Sequence, residues 1–104
     1  MAKVTVVAHL RAKAGMEDRV REELLKMVAE TRKEEGCINY DLHEEIDQPG
    51  QFVFYENWTS AEALERHTRT PHYLHLTSIA PEVLDGASDV RRFSMISQPV
   101  GQLV

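Results

Sequence analysis

Gln51-Phe52-Val53-Phe54-Tyr55-Glu56-Asn57-Trp58-Thr59-Ser60-Ala61-Glu62-Ala63-Leu64-Glu65-Arg66-His67-Thr68-Arg69-Thr70-Pro71-His72-Tyr73 is the stretch that decides the fold of this chain. Through Trp58, apolar residues stand at both parities of an extended run. Phe52 and Phe54 point to one side, Val53 and Tyr55 to the other, as in a strand covered on both faces. Thr59 with Glu62 three residues later fits a capping box. Thr70 before Pro71 repeats the start signal, with proline suited to the first helical position. The strand therefore feeds two short helices, broken at Thr70-Pro71.

Working outward, Val4 to Arg11 is a β-branched and aliphatic run, with Val6 and Val7 again giving it two apolar sides. Ala14-Gly15 ends it. Met16, Val20, Leu24, Met27, Val28 and Thr31 then recur at helical spacing, with Glu17 and Asp18 where the helix dipole favours anions, and Gly36 is a left-handed terminator. Cys37 to Ile46 alternates Ile38, Tyr40 and Leu42 against Asn39, Asp41 and His43. Gln48-Pro49-Gly50 then turns it into the Gln51 strand as a hairpin. Pro81 and Asp85-Gly86 close the helical segment, and Asp89 to Ser97 reads as a last strand. The order β-α-β-β-α-β predicts an α+β, ferredoxin-like domain over residues 1–97, with residues 98–104 as a tail. It has an antiparallel four-stranded sheet with its helices on one face. Apolar residues on the opposite face, Phe93 and Ile96 among them, predict that a second copy covers it as a homodimer through sheet faces.

The chain has 104 residues and a formal net charge of -5, with its Lys and Arg interspersed among Glu and Asp, which argues against nucleic acid. No apolar run approaches the ~20 residues of a membrane span, and no leader precedes the first strand, so a soluble cytoplasmic protein is expected, with no membrane partner. The single cysteine, Cys37, follows Glu34-Glu35-Gly36, an acidic setting that disfavours a thiolate and suits a small buried hydrophobe.

His67 lies three residues after Leu64 and six after Ala61, beside the apolar side of its helix and so facing the sheet near Trp58. There it is a candidate for proton transfer; the plain alternative is a core histidine held by one hydrogen bond. Trp58 ends its strand at an element junction, where it is either a core filler or an aromatic wall. Asn39 and Tyr40 are placed to orient a polar ring substituent, although Tyr40 shares parity with Ile38 and Leu42 and can simply be packed. His72, Tyr73 and His75 crowd the second short helix. With His67, His9 and His43 they raise a metal reading that lacks HExxH or Cys-His spacing and an evident carboxylate, so no metal is expected. No glycine-rich phosphate loop supports a nucleotide or flavin.

Lys33-Glu34-Glu35-Gly36-Cys37-Ile38-Asn39-Tyr40, Phe52-Val53-Phe54-Tyr55-Glu56-Asn57-Trp58 and Leu64 through Tyr73 together resemble the antibiotic biosynthesis monooxygenase (ABM) family, including its quinol monooxygenase-like members. The resemblance spans residues 3 to 97. It implies a homodimeric α+β barrel with a largely apolar cavity between each sheet and its own helices. The activity it implies is oxidation of a hydroxylated aromatic or quinol by dioxygen, with no cofactor. Glu56 and Trp58 match the family's strand motif, His67 its helix histidine, and Thr70, Pro71 and His72 its second helix start. The position of Asn39 after Gly36-Cys37 varies in the family. Taking the resemblance together with the residue readings above, His67, Trp58 and Asn39 are the expected catalytic residues, and Tyr40, Tyr73, His72 and Glu56 the expected substrate contacts. Glu56 is expected to anchor a helix or a histidine rather than to react.

Other members degrade haem, but those place an asparagine on the first strand where this chain reads Val7-Ala8-His9-Leu10. A relative isomerises a phosphorylated autoinducer sugar. That would need a phosphate-binding set, for which Arg66, Arg69, Arg91 and Arg92 are candidates without a cluster. The alternative from another class is a non-enzymatic dimeric barrel that binds small aromatics.

Overall fold

The structure, a computed structural model, describes residues 3–98, so the expected tail lies outside the described residues except for Gln98. The elements are β1 (Val4–Arg11), α1 (Glu17–Thr31), β2 (Cys37–Glu44), β3 (Gln51–Trp58), α2 (Ala61–His67), α3 (Pro71–Val83) and β4 (Asp89–Phe93). The sheet order is β2-β3-β1-β4 and every neighbouring pair is antiparallel, which is the α+β ferredoxin-like arrangement.

Register sorts the side chains into two faces. Val6 pairs with Glu56, Ala8 with Phe54 and Leu10 with Phe52 across β1 and β3. Tyr40 and Leu42 of β2 pair with the same Glu56 and Phe54. These residues face the helices, and most are buried. Helix α1 buries Val20, Leu24, Met27, Val28 and Thr31 and packs on α3 and β2. The opposite face carries Val7, Val53, Tyr55 and Phe93, with Tyr55 46% and Phe93 49% exposed and no helix among the described residues over them.

Local chemistry departs from the sequence reading at five points. Helix α1 ends at Thr31 with Arg32 as its cap, not at Gly36, which lies in the connection to β2. Ser60, not Thr59, caps α2, accepting the Ala63 N–H at 3.1 Å from an extended backbone. Thr70 caps α3 with Pro71 at its start, but Pro81 sits inside that helix, which runs on to Val83. A bulge between Cys37 and Asn39 turns Ile38 out of the core, to 52% exposure. Strand β4 stops at Phe93, short of Ser97, and β2 stops at Glu44, short of Ile46.

Gly36 sets how closely two elements approach. Its φ is +91°, and a Cβ there would come within 2.5 Å of the Ala63 Cβ, so only glycine lets the α1–β2 connection lie against α2. The Gly36 carbonyl accepts the Thr59 N–H at 2.8 Å, which brings Glu34 alongside the end of α2.

Candidate active site

Between the sheet and its helices lies a cavity of about 500 Å³. Small residues make it: Val6 and Ala8 leave the middle of the floor open, while Leu10, Phe54, Met27, Leu76, Ala80, Leu84 and Val90 form an apolar body. Its buried and half-buried polar end is walled by Tyr40, Glu56, His67 and Tyr73; Glu65, Thr68, Thr77 and Ser88 add polar groups to the lining, and Arg92 stands at the exposed edge.

His67 is 3% exposed and is held from behind. Its Nδ1 lies 2.8 Å from Oε2 of Glu34, and Nε2 of His72 lies 2.6 Å from the same oxygen. A carboxylate only accepts, so each of these ring nitrogens carries the donated proton. His67 is thereby fixed as the Nδ1–H tautomer, and its Nε2, which has no hydrogen-bond partner among the described residues, keeps a lone pair on the cavity side. Burial pushes the His67 pKa below its usual value, against the opposing pull of Glu34, so the ring is neutral at pH 7.

Aromatic rings fix its orientation. The His67 ring centroid is 4.7 Å from Trp58, 5.4 Å from Tyr40 and 5.1 Å from Tyr73, and Tyr40 stacks on Phe54 at 4.5 Å. Burial raises the Tyr40 phenol well above its ordinary range, so it acts as a neutral hydroxyl. Glu56, 4% exposed, accepts the Trp58 indole N–H on Oε1 at 2.9 Å. Burial, with the Glu34 charge adding to it, pushes the Glu56 carboxyl up to about 7, although the Trp58 bond works the other way.

Of the residues expected from sequence, the structure gathers His67, Tyr40, Tyr73 and Glu56 in the cavity wall. Trp58 is fully buried behind His67 and is not itself part of the lining. His72 stands behind the wall as a second donor to Glu34. Asn39 is on the far face of the sheet, tied to Asp41, Asn57 and the Tyr55 carbonyl, and does not reach the cavity.

Nor does Glu56 anchor a helix or a histidine. That role falls to Glu34, which sequence reasoning passed over as mere acidity near Cys37; it sits two residues before Gly36 in the α1–β2 connection, where no periodicity points to it. Cys37 is held as a thiol, its pKa pushed up to about 11 by burial.

Ligand atoms of Glu34, His67 and His72 all lie within 4.8 Å of one another, the carboxylate that the spacing argument lacked. The 2.6 and 2.8 Å separations are those of hydrogen bonds. A tetrahedral zinc with bonds of about 2.0–2.1 Å would hold its ligands ~3.3 Å apart. In this arrangement the trio is a hydrogen-bonded cluster, closer together than the ligands of a bound zinc would stand. The arginines do not assemble either: Arg69 pairs with Glu65, Arg91 with Asp89, and Arg92 alone lines the cavity. No helix among the described residues is long and apolar enough to cross a membrane.

Fold and site thus define a small ferredoxin-like α+β protein with an aromatic-walled cavity and a buried carboxylate-oriented histidine. The sequence profile of the antibiotic biosynthesis monooxygenase family matches residues 3–77, and the chain belongs to that family. Monooxygenase-type chemistry is the class of function that membership supports.

"Putative monooxygenase Rv0793" of Mycobacterium tuberculosis is 36% identical over 78% of this chain and 79% of its own length. Its solved structure superposes with a TM-score of 0.87 at 31% identity, covering 93% of this chain and 98% of that one. The crystal structure of PA3566 from Pseudomonas aeruginosa gives a TM-score of 0.88 at 29% identity, covering 93% and 97% of the two chains. "Probable quinol monooxygenase YgiN" of Escherichia coli is 33% identical over 66% of this chain and 76% of its own length.

Proposed function

We propose that this protein is a cofactor-independent monooxygenase that oxidises a hydroxylated aromatic of the quinol class with dioxygen. The observation that carries the reading is the His67 ring, proton-bearing toward Glu34 and lone-pair-bearing toward an apolar cavity large enough for a fused two-ring substrate. Nε2 takes the phenolic proton, and the resulting electron-rich anion is itself the reductant of dioxygen. The apolar walls hold water back from the reactive pair. Tyr40 and Tyr73 supply hydroxyls to the ring oxygens. The name of the Escherichia coli relative supports the substrate class, and the lone Arg92 gives little footing for a sugar phosphate.

The test is oxygen uptake with naphthohydroquinone, scored against an enzyme-free blank because quinols autoxidise. Enzyme-dependent uptake that survives EDTA and exhaustive dialysis is the expected result. Uptake abolished by chelation sinks the cofactor-free reading, and saturable binding without uptake leaves a non-enzymatic aromatic-binding barrel.

The same reading includes a homodimer in which the Val7, Val53, Tyr55 and Phe93 face meets its counterpart on a second copy, in the reducing cytoplasm where Cys37 stays a thiol. Half-exposed aromatics on an uncovered sheet face support it. Light scattering should give twice the 11.9 kDa chain mass, and Tyr55→Lys should reduce it to one. A wild-type chain that runs as a monomer at micromolar concentration rules the dimer out.

A further inference from the structure

A single rung of the sheet crosses the polar end of the cavity: Tyr40 of β2, Glu56 of β3, Val6 of β1 and Arg92 of β4 are register partners on the helix face. Glu56 is the buried carboxyl of that rung. Its Oε1 is engaged by the Trp58 indole, while its second oxygen has no hydrogen-bond partner and no cation bonds the carboxyl among the described residues. An ionised carboxylate buried with one oxygen unpartnered is costly, and the protonated form is the one the site favours. The same burial keeps His67 neutral. Two titratable groups on one cavity are thus pushed in opposite directions, His67 to a free base and Glu56 toward a free acid.

We propose that Glu56 is the acid of this cavity, handing its carboxyl proton to the outer oxygen of the substrate peroxide as the O–O bond breaks. The step rests on the oxygenation reading above. Addition of dioxygen to the ring carbon of the naphthohydroquinone anion, followed by return of the phenolic proton from His67, gives a carbon-bound hydroperoxide. His67 Nε2 then removes the remaining hydrogen from that carbon as a proton. The C–H electron pair becomes the new C=O bond, the O–O bond breaks, and hydroxide leaves as water with the Glu56 proton. The products are hydroxynaphthoquinone and one water, so the substrate is oxidised by four electrons and both oxygen atoms are accounted for. Proton return from His67 to Glu56 across the cavity resets the pair.

Tyr40 is the register partner of Glu56, Trp58 bonds it and the Glu34 charge acts on it, while the other titratable groups lining the same cavity are His67, Tyr73, Glu65 and Arg92. Of these, Glu34 opposes its ionisation and the Trp58 indole favours it. Glu56→Gln keeps an oxygen for the indole N–H and the side-chain volume but has no proton to give. Turnover of naphthohydroquinone should fall about a hundredfold or more. The alkaline limb of the wild-type kcat profile, which reports loss of that proton, should vanish. Binding of naphthoquinone, read by quenching of Trp58 fluorescence, should stay within about twofold, as expected for an acid that acts after binding. A Glu56→Gln enzyme that turns over like wild type, or keeps the alkaline limb, overturns the assignment and leaves the oxygenation reading standing.

Wild-type protein that consumes no oxygen above the blank removes the oxygenation reading itself, and with it this step. Should the variant not fold, infrared difference spectra of wild type between about pH 5 and about pH 9 serve instead, spanning the ordinary carboxyl range and beyond. A buried-acid carbonyl band lost near neutrality upholds the assignment, and its absence overturns it.

Discussion

His67→Ala should lower turnover of a quinol substrate by about a hundredfold to ten-thousandfold, the range a positioned general base contributes. The loss should fall on kcat, since the ring's proposed work is done on the reacting oxygen and carbon. Glu34→Gln separates orientation from mere packing. The amide offers His67 an N–H where the carboxylate offered only acceptors, so the Nδ1–H tautomer is no longer enforced and Nε2 loses its standing lone pair.

The pH dependence carries a sign. On the proposed function activity needs neutral His67, and its pKa is already depressed by burial, so the acid limb of kcat/KM should lie below the ordinary histidine value. Glu34 is the group that raises it. Its removal should move that limb to still lower pH while reducing the plateau. A Glu34→Gln enzyme with an unmoved limb and a full plateau would refute the dyad.

The same two buried groups tilt stability in opposite senses. Glu56 titrates higher folded than unfolded, so between about 4.5 and about 7 the folded state binds more protons and stability falls as pH rises. His67 titrates lower folded than unfolded, so stability falls as pH drops below the ordinary histidine value of about 6.5. Near neutrality the cost therefore falls on Glu56, because His67 is mostly neutral in the folded and the unfolded chain alike there.

Much of this architecture is legible in the chain. Two-sided apolar strands, the Thr70-Pro71 break and Gly36 all express backbone and burial rules acting within a few residues. The sheet face of His67 follows from helical spacing alone. What escaped was set by distance and by pleat. Glu34 acts on a histidine 33 residues away, from a connection with no periodicity to point it. Asn39 and Tyr40 were both expected at the substrate, yet neighbours along a strand face opposite sides of the sheet. Once Tyr40 is in the cavity, Asn39 has to be on the other face, and the polar ladder from Thr5 through Asn57 to Asn39 shows where it is used.

Trp58→Ala should cost about 3 to 5 kcal/mol, as for other large buried aromatics, and read out as a lower urea midpoint by circular dichroism. The indole is fully buried at the junction of β3 and α2, against His67 and Tyr40, so its removal leaves a large void beside the histidine. Trp58→Phe divides packing from hydrogen bonding. Most of the ring volume is kept, so the stability loss should be well under that of alanine, but the N–H donated to Glu56 is gone. That bond is the influence holding the Glu56 pKa down, so without it the carboxyl keeps its proton to higher pH than about 7. The alkaline limb of turnover should then shift upward in the phenylalanine variant. An alanine variant as stable as wild type would mean that the indole is not the keystone of this wall, and an unmoved alkaline limb in the phenylalanine variant would uncouple Trp58 from the acid.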